Sequence, residues 1–384
     1  MLYDAIVVGS GPGGAIAASV LASRKKSVLL VDRQSFPRDK VCGDGLPIRV
    51  MAMLRELNVD IQGLEYQRIK ALSITGPAGQ TLVTYEESQD QFSMTSRRYS
   101  FDNTLHQHAV KSGAKFEVMH VQAPLLDPSG EKVIGVVERK GKTTVEHEAK
   151  IVIAADGAAS PIARALNKQS ANQPDRVTAA DDTAVAIRAY AKLKQPMPPC
   201  VYFYFNKSLL PGYAWIFPIA DGYANIGVYV DNRTFRAGSR SLVDLLAEFQ
   251  ATLPPKFAVD LDMQVAQTWP LPIWTTWKNR TVKGVLFVGD AGRFINAITG
   301  GGIYPAMMTG LYAAQHALDL LDSTRHYPDF DTAWRPEIGT SLRNARILQH
   351  RVAPYPFLFN SLFSITNFPP IKATMLRTLS GEHY

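Results

Sequence analysis

The stretch Gly9-Ser10-Gly11-Pro12-Gly13-Gly14 lies close to the start of the chain, between two apolar segments. Before it, the continuous apolar run Tyr3 to Val8 is typical of a strand buried in a parallel sheet. After it come an alanine-rich segment with the spacing of a helix and a second apolar run, Ser27 to Val31. This order predicts a β-turn-α-β unit, the opening unit of a Rossmann-like α/β domain.

The spacing Gly-x-Gly-x-x-Gly has a physical purpose at such a turn. Gly9 makes the tight turn, Gly11 lets a pyrophosphate approach the main chain, and Gly14 lets helix and strand pack closely. The helix N-terminus offers NH groups and a partial positive charge to the phosphates. Asp32 ends the second strand 23 residues after Gly9, where its carboxylate can accept both hydroxyls of an adenosine ribose. The pattern predicts a dinucleotide site, and on its own it does not distinguish FAD from NAD.

Three later segments favour FAD. Asp156-Gly157 and Gly289-Asp290 each follow a continuously apolar run, and Asp290 is placed to bind the sugar-alcohol hydroxyls of a flavin. The run Gly300-Gly301-Gly302 precedes a long helix that begins at Ile303, so main-chain NH groups can approach a flat ring. A helix N-terminus there would stabilise the negative charge that reduced flavin carries at its N1–C2 edge.

These landmarks resemble those of the p-hydroxybenzoate-hydroxylase-like flavoproteins, from residue 2 to about residue 320. Beyond the segments above, the resemblance includes the pattern Arg98-x-x-Phe101-Asp102. It implies that Arg98 contacts the FAD and that Asp290 holds its ribityl chain. The residues that we expect to bind FAD are Gly9, Gly11, Pro12, Gly13, Gly14, Asp32, Arg33, Arg38, Cys42, Gly43, Arg98, Val121, Asp156, Gly157, Gly289, Asp290, Gly300, Gly301, Gly302 and Ile303.

Within that superfamily, three segments are similar to the geranylgeranyl reductase branch. Pro37 to Leu46 contains a cysteine-glycine pair after the second strand, as the reductases do. Tyr213 to Pro218 is similar to their Tyr-x-Trp-x-Phe-Pro segment, and Gly300 to Met307 is similar to the segment that opens their long helix. Two positions depart from the family pattern, because Gly301 stands where a Glu is frequent and Tyr229 where a glycine is favoured. The departures leave the substrate open.

The aromatic segment can also be interpreted without the family. Tyr213, Trp215 and Phe217 alternate, so they share one face of a strand. Such a row either lines a cavity for an apolar chain or belongs to the core. Cys42 lies in a glycine-containing loop near the expected flavin, where a thiol could donate a proton or tune the flavin. A buried, inert cysteine is the commoner case.

Composition limits the other function classes. The net charge is +7 and the pI about 9.2, which suits an anionic cofactor or an anionic membrane surface. No tight run of basic residues indicates nucleic acid, and no spacing of His or Cys indicates a metal site. Two cysteines, a first strand that starts at Leu2 and no apolar run of roughly 20 residues predict a cytoplasmic chain with reduced thiols. The apolar tail from Pro354 to Phe363 either packs onto the body or contacts a membrane peripherally.

We expect four consecutive segments. The first part of the FAD-binding domain covers residues 1–167, a mostly antiparallel substrate domain covers 168–280, the second FAD-binding part covers 281–325, and a helical region covers 326–384. The patterns also predict a helix over Gly45 to Leu57, one strand over Lys115 to Val121 and another over Thr143 to Glu148. A polar stretch after Asn167 marks the first boundary.

The hypothesis that joins these features is a FAD-dependent reductase of carbon-carbon double bonds in a polyprenyl or similarly apolar substrate. Cys42 is the candidate proton donor, and Tyr213, Trp215 and Phe217 are the candidate substrate contacts. No second Gly-x-Gly-x-x-Gly is present, so NAD(P)H binding transiently, ferredoxin or a quinol would supply the electrons. The alternatives are a monooxygenase or halogenase on the same fold and a flavin-binding protein without a small-molecule substrate.

Overall fold

The computed structural model describes residues 2–85, 92–169, 183–257, 259–276 and 278–365. In the first half, strands and helices alternate irregularly. The elements are β1 (Tyr3–Val8), α1 (Pro12–Ser23), β2 (Val28–Asp32), β3 (Gly45–Leu46), α2 (Ile48–Glu56), β4 (Gln67–Arg68), β5 (Ala71–Thr75), β6 (Thr81–Tyr85), β7 (Met94–Thr95), α3 (Arg98–Lys111), β8 (Lys115–Val118), β9 (Val121–Leu126), β10 (Val133–Lys140), β11 (Thr143–Ala154) and α4 (Pro161–Gln169).

The second half begins with strands and ends with helices. The elements are β12 (Thr183–Leu193), β13 (Cys200–Tyr204), β14 (Tyr213–Ile219), β15 (Tyr223–Asp231), α5 (Asn232–Ala237), α6 (Leu242–Thr252), β16 (Val259–Asp260), β17 (Gln267–Pro272), β18 (Thr281–Val282), β19 (Val285–Phe287), α7 (Ile303–Asp322), α8 (Phe330–Trp334), α9 (Thr340–Arg351) and α10 (Pro356–Ile365).

The first sheet has the strand order β18-β19-β11-β1-β2-β8, and β10 and β9 extend it from β11. The pairs β19–β11, β11–β1, β1–β2 and β2–β8 are parallel. Helices α1, α3 and α7 pack on one face, and α4 with β9 and β10 packs on the other. Because both faces are covered, β1, β2, β19 and the second half of β11 appear in the sequence as continuous apolar runs. The predicted Rossmann-like domain is confirmed.

The turn between β1 and α1 explains the third glycine of the opening motif. A Cβ atom at Gly14 would lie 1.8 Å from the main-chain oxygen of Gly9. No side chain fits in that space, so the helix can begin this close to the strand only with glycine at position 14.

The second sheet has the order β16-β12-β15-β14-β13-β5-β6, with β17 also paired to β12. Its pairs are antiparallel except for β13–β5, which is parallel. The predicted antiparallel second sheet is therefore present. Strands β5 and β6 belong to it, although they lie within the 1–167 segment that we assigned to the FAD-binding domain. The polar stretch predicted to mark a boundary after Asn167 falls mainly in residues 170–182, outside the described residues, and the four-segment division remains a prediction.

Three predicted element bounds were wrong. The segment Gly45 to Leu57 begins with the short strand β3, and its helix starts only at Ile48, after Pro47. The strand predicted over Lys115 to Val121 is two strands, because β8 ends at Val118. Conversely, Thr143 to Glu148 and the next apolar run form the single strand β11. Its first half pairs with β10 at the surface and its second half lies inside the first sheet, so the pattern changes where burial changes.

The described part of the predicted C-terminal region is helical and packs against the second sheet. The ring of Phe359 in α10 lies 5.0 Å from that of Phe205, and Gln349 in α9 donates a 2.9 Å hydrogen bond to the main-chain oxygen of Ala297. Residues 366–384 lie outside the described residues. Within the described ranges, no helix combines the length and the apolar character required to cross a membrane.

Candidate active site

A cavity of about 730 Å³ is lined by residues of both sheets, a volume in the usual range for ligand sites. Almost all residues predicted from the sequence line it. They are Gly9, Gly11, Pro12, Gly13, Asp32, Arg33, Arg38, Cys42, Gly43, Arg98, Val121, Asp156, Gly157, Gly289, Asp290, Gly300, Gly302 and Ile303 among the expected FAD contacts, and Tyr213, Trp215 and Phe217 among the expected substrate contacts. Gly14 and Gly301 do not line the cavity.

The N-terminus of α1 opens into this cavity between a carboxylate and a guanidinium. Asp32 accepts hydrogen bonds from the main-chain N of Ser10 (3.0 Å) and of Gln34 (3.2 Å). Arg38 lies 3.7 Å from Asp32 and 3.0 Å from Asp102, and its Nη2 atom would be 3.8 Å from a Cβ atom at Gly11. A positive side chain therefore faces the helix N-terminus, and this arrangement suits a pyrophosphate.

Arg98 is buried beside the cavity and forms a two-point ion pair with Asp102. The Nε and Nη2 atoms donate to the two carboxylate oxygens at 2.6 and 2.8 Å. Burial opposes the charge of Arg98, but the adjacent Asp102 carboxylate raises its pKa, so the guanidinium stays protonated. The side chain also contacts the sulfur of Cys42. Arg98 thus places a permanent positive charge next to the thiol.

Cys42 lines the cavity on the loop that follows β2. Burial raises the pKa of its thiol, although the Arg98 charge acts in the opposite direction. The thiol therefore carries its proton at neutral pH. Two residues further on, burial raises the pKa of Asp44 to about 6. The loop thus carries two groups that can hold a proton, of which Cys42 lines the cavity and Asp44 is buried behind it.

Asp290 follows β19 and faces the start of α7. Its Oδ1 atom would be 3.4 Å from a Cβ atom at Gly302, and its Oδ2 atom pairs with Nζ of Lys40 at 3.1 Å. The preceding Gly289 is held by a 3.0 Å hydrogen bond from its main-chain N to Thr309 Oγ1. A carboxylate, which suits the sugar-alcohol chain of a flavin, therefore lies next to an open helix N-terminus, which suits the flavin ring.

The aromatic row on β14 faces the cavity, as its alternation predicts. Neighbouring ring centres are 6.0 Å apart for Tyr213 and Trp215, and 6.3 Å apart for Trp215 and Phe217. The indole of Trp215 lies over Gly227, where a Cβ atom would be 2.2 Å from the ring. At another edge of the same ring, a Cβ atom at Gly43 would be 3.4 Å from Trp215 Nε1. The row and the Cys42 loop therefore meet.

Several residues of the site were not predicted. Lys40, Arg188, Tyr229 and Trp269 line the cavity. Arg188 is 3% exposed, pairs with Asp39 at 2.5 Å and lies on the same sheet face as the aromatic row. Arg188 is a charged residue within the apolar run of β12, and this pattern could have identified it from the sequence.

The two histidines of α3 differ in burial, because His106 lies among the buried residues of the helix and His108 does not. The Nδ1 atom of His106 lies 2.9 Å from Ser10 Oγ, so this side chain stabilises the glycine-rich turn between β1 and α1. Among the residues that the structure describes, no group of three or more His, Cys, Asp or Glu side chains could hold a metal ion.

The residues present fit FAD, because the cavity combines an anion site at α1, a ribose-type carboxylate at Asp32 and the Asp290 site at α7. Residues 2–321 match the family described as FAD binding domain. A digeranylgeranylglycerophospholipid reductase of Methanosarcina acetivorans is 31% identical over 358 residues, which cover 91% of this chain and 84% of that protein. A menaquinone reductase of Mycobacterium tuberculosis is 28% identical over 331 residues, covering 85% and 78%.

Two solved structures share the fold. A geranylgeranyl bacteriochlorophyll reductase-like protein from Thermoplasma acidophilum has a TM-score of 0.77 at 24% identity, over 98% of this chain and 99% of that one. A flavin-dependent brominase has a TM-score of 0.74 at 20% identity, over 99% and 94%. The chain belongs to the FAD-binding-domain flavoproteins and, within them, to the geranylgeranyl reductase family. It is an FAD-dependent oxidoreductase, and FAD is its cofactor.

Proposed function

We propose that this oxidoreductase reduces carbon-carbon double bonds in a polyprenyl, geranylgeranyl-type substrate. The observation that carries the proposal is the contact between the Cys42-Gly43 loop and Trp215. A Cβ atom added at Gly43 would lie 3.4 Å from Trp215 Nε1. This contact puts the loop that carries a protonated thiol beside an apolar aromatic wall in the cavity that fits FAD. The names of the relatives support a lipid substrate, since one acts on a geranylgeranyl phospholipid and another on a menaquinone.

In this proposal the aromatic row binds the isoprenoid chain. Tyr213, Trp215, Phe217 and Tyr229 are each less than 9% exposed overall, and their rings form a continuous surface in the cavity. Rings provide large apolar area with little conformational freedom to lose, which favours binding of a flexible apolar chain. They also exclude water from the reacting carbons.

When it is bound and reduced, FAD supplies a hydride to one carbon of the double bond. In our proposal the thiol of Cys42 gives its proton to the other carbon, so the alkene gains two hydrogens. The thiolate left behind is stabilised by the Arg98 guanidinium, which contacts the sulfur. An external donor, either NAD(P)H, ferredoxin or a quinol, must then return two electrons to the cofactor, and a proton must return to Cys42.

We also propose that the end of the helical region contacts a membrane surface. Tyr355, Phe357 and Leu358 are 57%, 78% and 42% exposed, beside the basic residue Arg351 in the last turn of α9. Exposed aromatic and aliphatic side chains next to basic ones suit the interface of an anionic bilayer. The next residue of α10, Phe359, packs on Phe205 behind the aromatic row, so such contact would bring the lipid close to the cavity.

The experiment that tests the reductase proposal is mass spectrometry of prenyl diphosphates and prenyl lipids after incubation with the dithionite-reduced protein. We expect a mass gain of two hydrogens per reduced double bond. No gain on any of these substrates would refute the proposal. Oxygen uptake that requires both reductant and substrate would support a monooxygenase or halogenase instead, and slow substrate-independent reoxidation would support a flavin-binding protein without a substrate.

A further inference from the structure

Asn225 lies at the centre of a buried network between the second sheet and the Cys42 loop. Its Nδ2 atom donates to the main-chain oxygen of Cys42 (2.7 Å) and to Oδ2 of Asp44 (2.9 Å), and its Oδ1 atom accepts from Trp215 Nε1 (2.9 Å). Asn225 is 0% exposed. Both donors and the acceptor of its amide are therefore used, each toward a different part of the site.

Asp44 fixes the other end of this network. Its carboxylate is 0% exposed, and Oδ2 also accepts a 2.6 Å hydrogen bond from Tyr190 Oη. Oδ1 has no hydrogen-bond partner among the described residues. The main chain at Asp44 is left-handed, with φ of 64°, and its oxygen accepts from Ser96 N at 3.0 Å. The loop geometry is thus determined by polar contacts and not by apolar packing alone.

The sheet register shows why the network reaches the aromatic row. On the paired strands, Trp215 faces Gly227 and Phe217 faces Asn225, so Asn225 occupies the diagonal position beside Trp215. Gly227 leaves space for the indole ring, and Asn225 holds its nitrogen. One amide therefore fixes both the orientation of the indole and the position of the loop that carries the thiol.

We propose that Asn225 and Asp44 are positioning residues that set the place of the Cys42 thiol relative to Trp215. The inference rests on the proposed function, in which Cys42 gives a proton to a substrate bound against the aromatic row. Proton transfer depends steeply on distance, and a displacement of about 1 Å can lower a rate by about a hundredfold. Because the buried Asn225 bonds both Trp215 and the Cys42 loop, it keeps the distance between them constant while the substrate binds and leaves.

The test uses the FAD-loaded Asn225→Asp protein, which has nearly the same shape but lacks both donors. Asn232→Asp is the matched control, because Asn232 is also buried, directly follows the same strand as the first residue of α5, and donates from its amide to Thr183 Oγ1 at 3.2 Å. The first readout is the rate at which iodoacetamide alkylates Cys42, measured by peptide mass spectrometry. We expect a change of about tenfold or more in Asn225→Asp and none in Asn232→Asp.

The second readout is the steady-state reduction of a prenyl substrate. We expect kcat to fall about ten- to a hundredfold while KM changes little, because the thiol moves but the aromatic row remains. If Asn225→Asp does not fold, Tyr190→Phe removes only the hydroxyl that donates to Asp44 and should shift the alkylation rate in the same direction. Unchanged alkylation in all these variants would overturn the positioning role. Altered alkylation in a protein whose unmodified form reduces no prenyl substrate would leave the positioning intact and refute the proposed function.

Discussion

Lys40 and Asp290 form an ion pair at 3.1 Å between residues that are 250 positions apart in the chain. The pair joins the loop after β2 to the end of β19, which are the two segments with which the sequence motifs associate the flavin. Lys40 also lies 5.8 Å from the centre of the Trp269 ring. The ion pair therefore joins two cavity-lining segments that are far apart in the sequence.

The first prediction concerns FAD binding. Asp290→Ala removes the carboxylate that would accept hydroxyl hydrogen bonds from the flavin side chain. We expect the FAD dissociation constant, measured by flavin fluorescence, to rise at least about tenfold, the usual loss for a charged hydrogen-bond acceptor. Lys40→Met is the control, because it breaks the ion pair and keeps the carboxylate. Equal weakening in both variants would mean that the ion pair, and not the carboxylate, is what FAD binding requires.

The second prediction concerns the thiol. Cys42→Ala should lower kcat for double-bond reduction by about a hundredfold or more, the usual contribution of a positioned general acid. Cys200→Ala removes the other thiol, which lies on β13 away from the cavity-lining residues, and should leave kcat unchanged. FAD content, read from the absorbance ratio at 450 and 280 nm, should be the same in all three proteins. Full turnover by Cys42→Ala would show that another group supplies the proton.

The third prediction concerns the packing of the Trp215 ring on Gly227. Gly227→Ala puts a methyl group 2.2 Å from the indole ring and 2.4 Å from the main-chain oxygen of Ile187, so both the ring and the paired strand must move. Overpacking of this kind lowers the free energy of unfolding by about 1–3 kcal/mol. We expect a lower Tm and a higher KM for the prenyl substrate. Gly238→Ala is the control, since its nearest neighbour would be an ordinary contact at 3.5 Å. A Gly227→Ala protein with unaltered Tm and KM would contradict the observed packing.

The fourth prediction concerns pH. The pKa of Asp44 is about 6 in the folded chain against an ordinary value of 3.8, because burial disfavours the charged form. The protonated carboxyl thus favours folding below about pH 4, and this contribution is lost as the pH rises through 6. The shift corresponds to about 3 kcal/mol, at about 1.4 kcal/mol per pH unit.

Asp44→Asn does not titrate and keeps an acceptor for Asn225 and Tyr190. Its Tm minus that of the unmodified protein, both saturated with FAD, should therefore increase between pH 4 and pH 7. Asp156, whose pKa burial also raises to about 6, is present in both proteins and cancels in the difference. A difference that stays constant over this range would show that Asp44 does not titrate as stated.

The fifth prediction concerns the membrane. The double variant Phe357→Ser, Leu358→Ser should bind vesicles of phosphatidylcholine and phosphatidylglycerol at least about tenfold more weakly in a sedimentation assay, because each buried apolar side chain contributes about 1.5–3 kcal/mol. The control variant Val118→Ser, Leu320→Ser removes two side chains of similar exposure, 56% and 57%, elsewhere on the surface. Vesicle binding that both double variants weaken equally would exclude α10 as the contact.

The sequence predicted most of the residues that line the cavity on the side of the first sheet, because its signals there are local. Each expected contact follows an apolar strand or opens a helix within a few residues, as at Gly9, Asp156 and Asp290. The aromatic row was also predicted, because alternation along β14 determines which residues share a face.

The rest of the site depends on contacts that no local pattern specifies. Asn225 bonds groups 181 and 183 positions away, and these distances follow from the register between β15 and a loop in the other half of the chain. Likewise, the placement of β5 in the second sheet depends on a parallel pairing with β13, which lies far along the chain. Arg188 could have been noticed as a charge within an apolar strand, but its partner Asp39 could not.

The interleaving of the two sheets along the chain has a consequence for biosynthesis. Strand β5 can pair with β13 only after β13 has been synthesised, so β5 and β6 cannot join their sheet earlier. Strand β11 can pair with β19 only after synthesis has reached Phe287. Most of the polypeptide therefore leaves the ribosome before either sheet is complete, and Asp290 follows after the last strand. The cavity that fits FAD has lining residues as far along the chain as Ala306, so it can be complete only after translation has passed that residue.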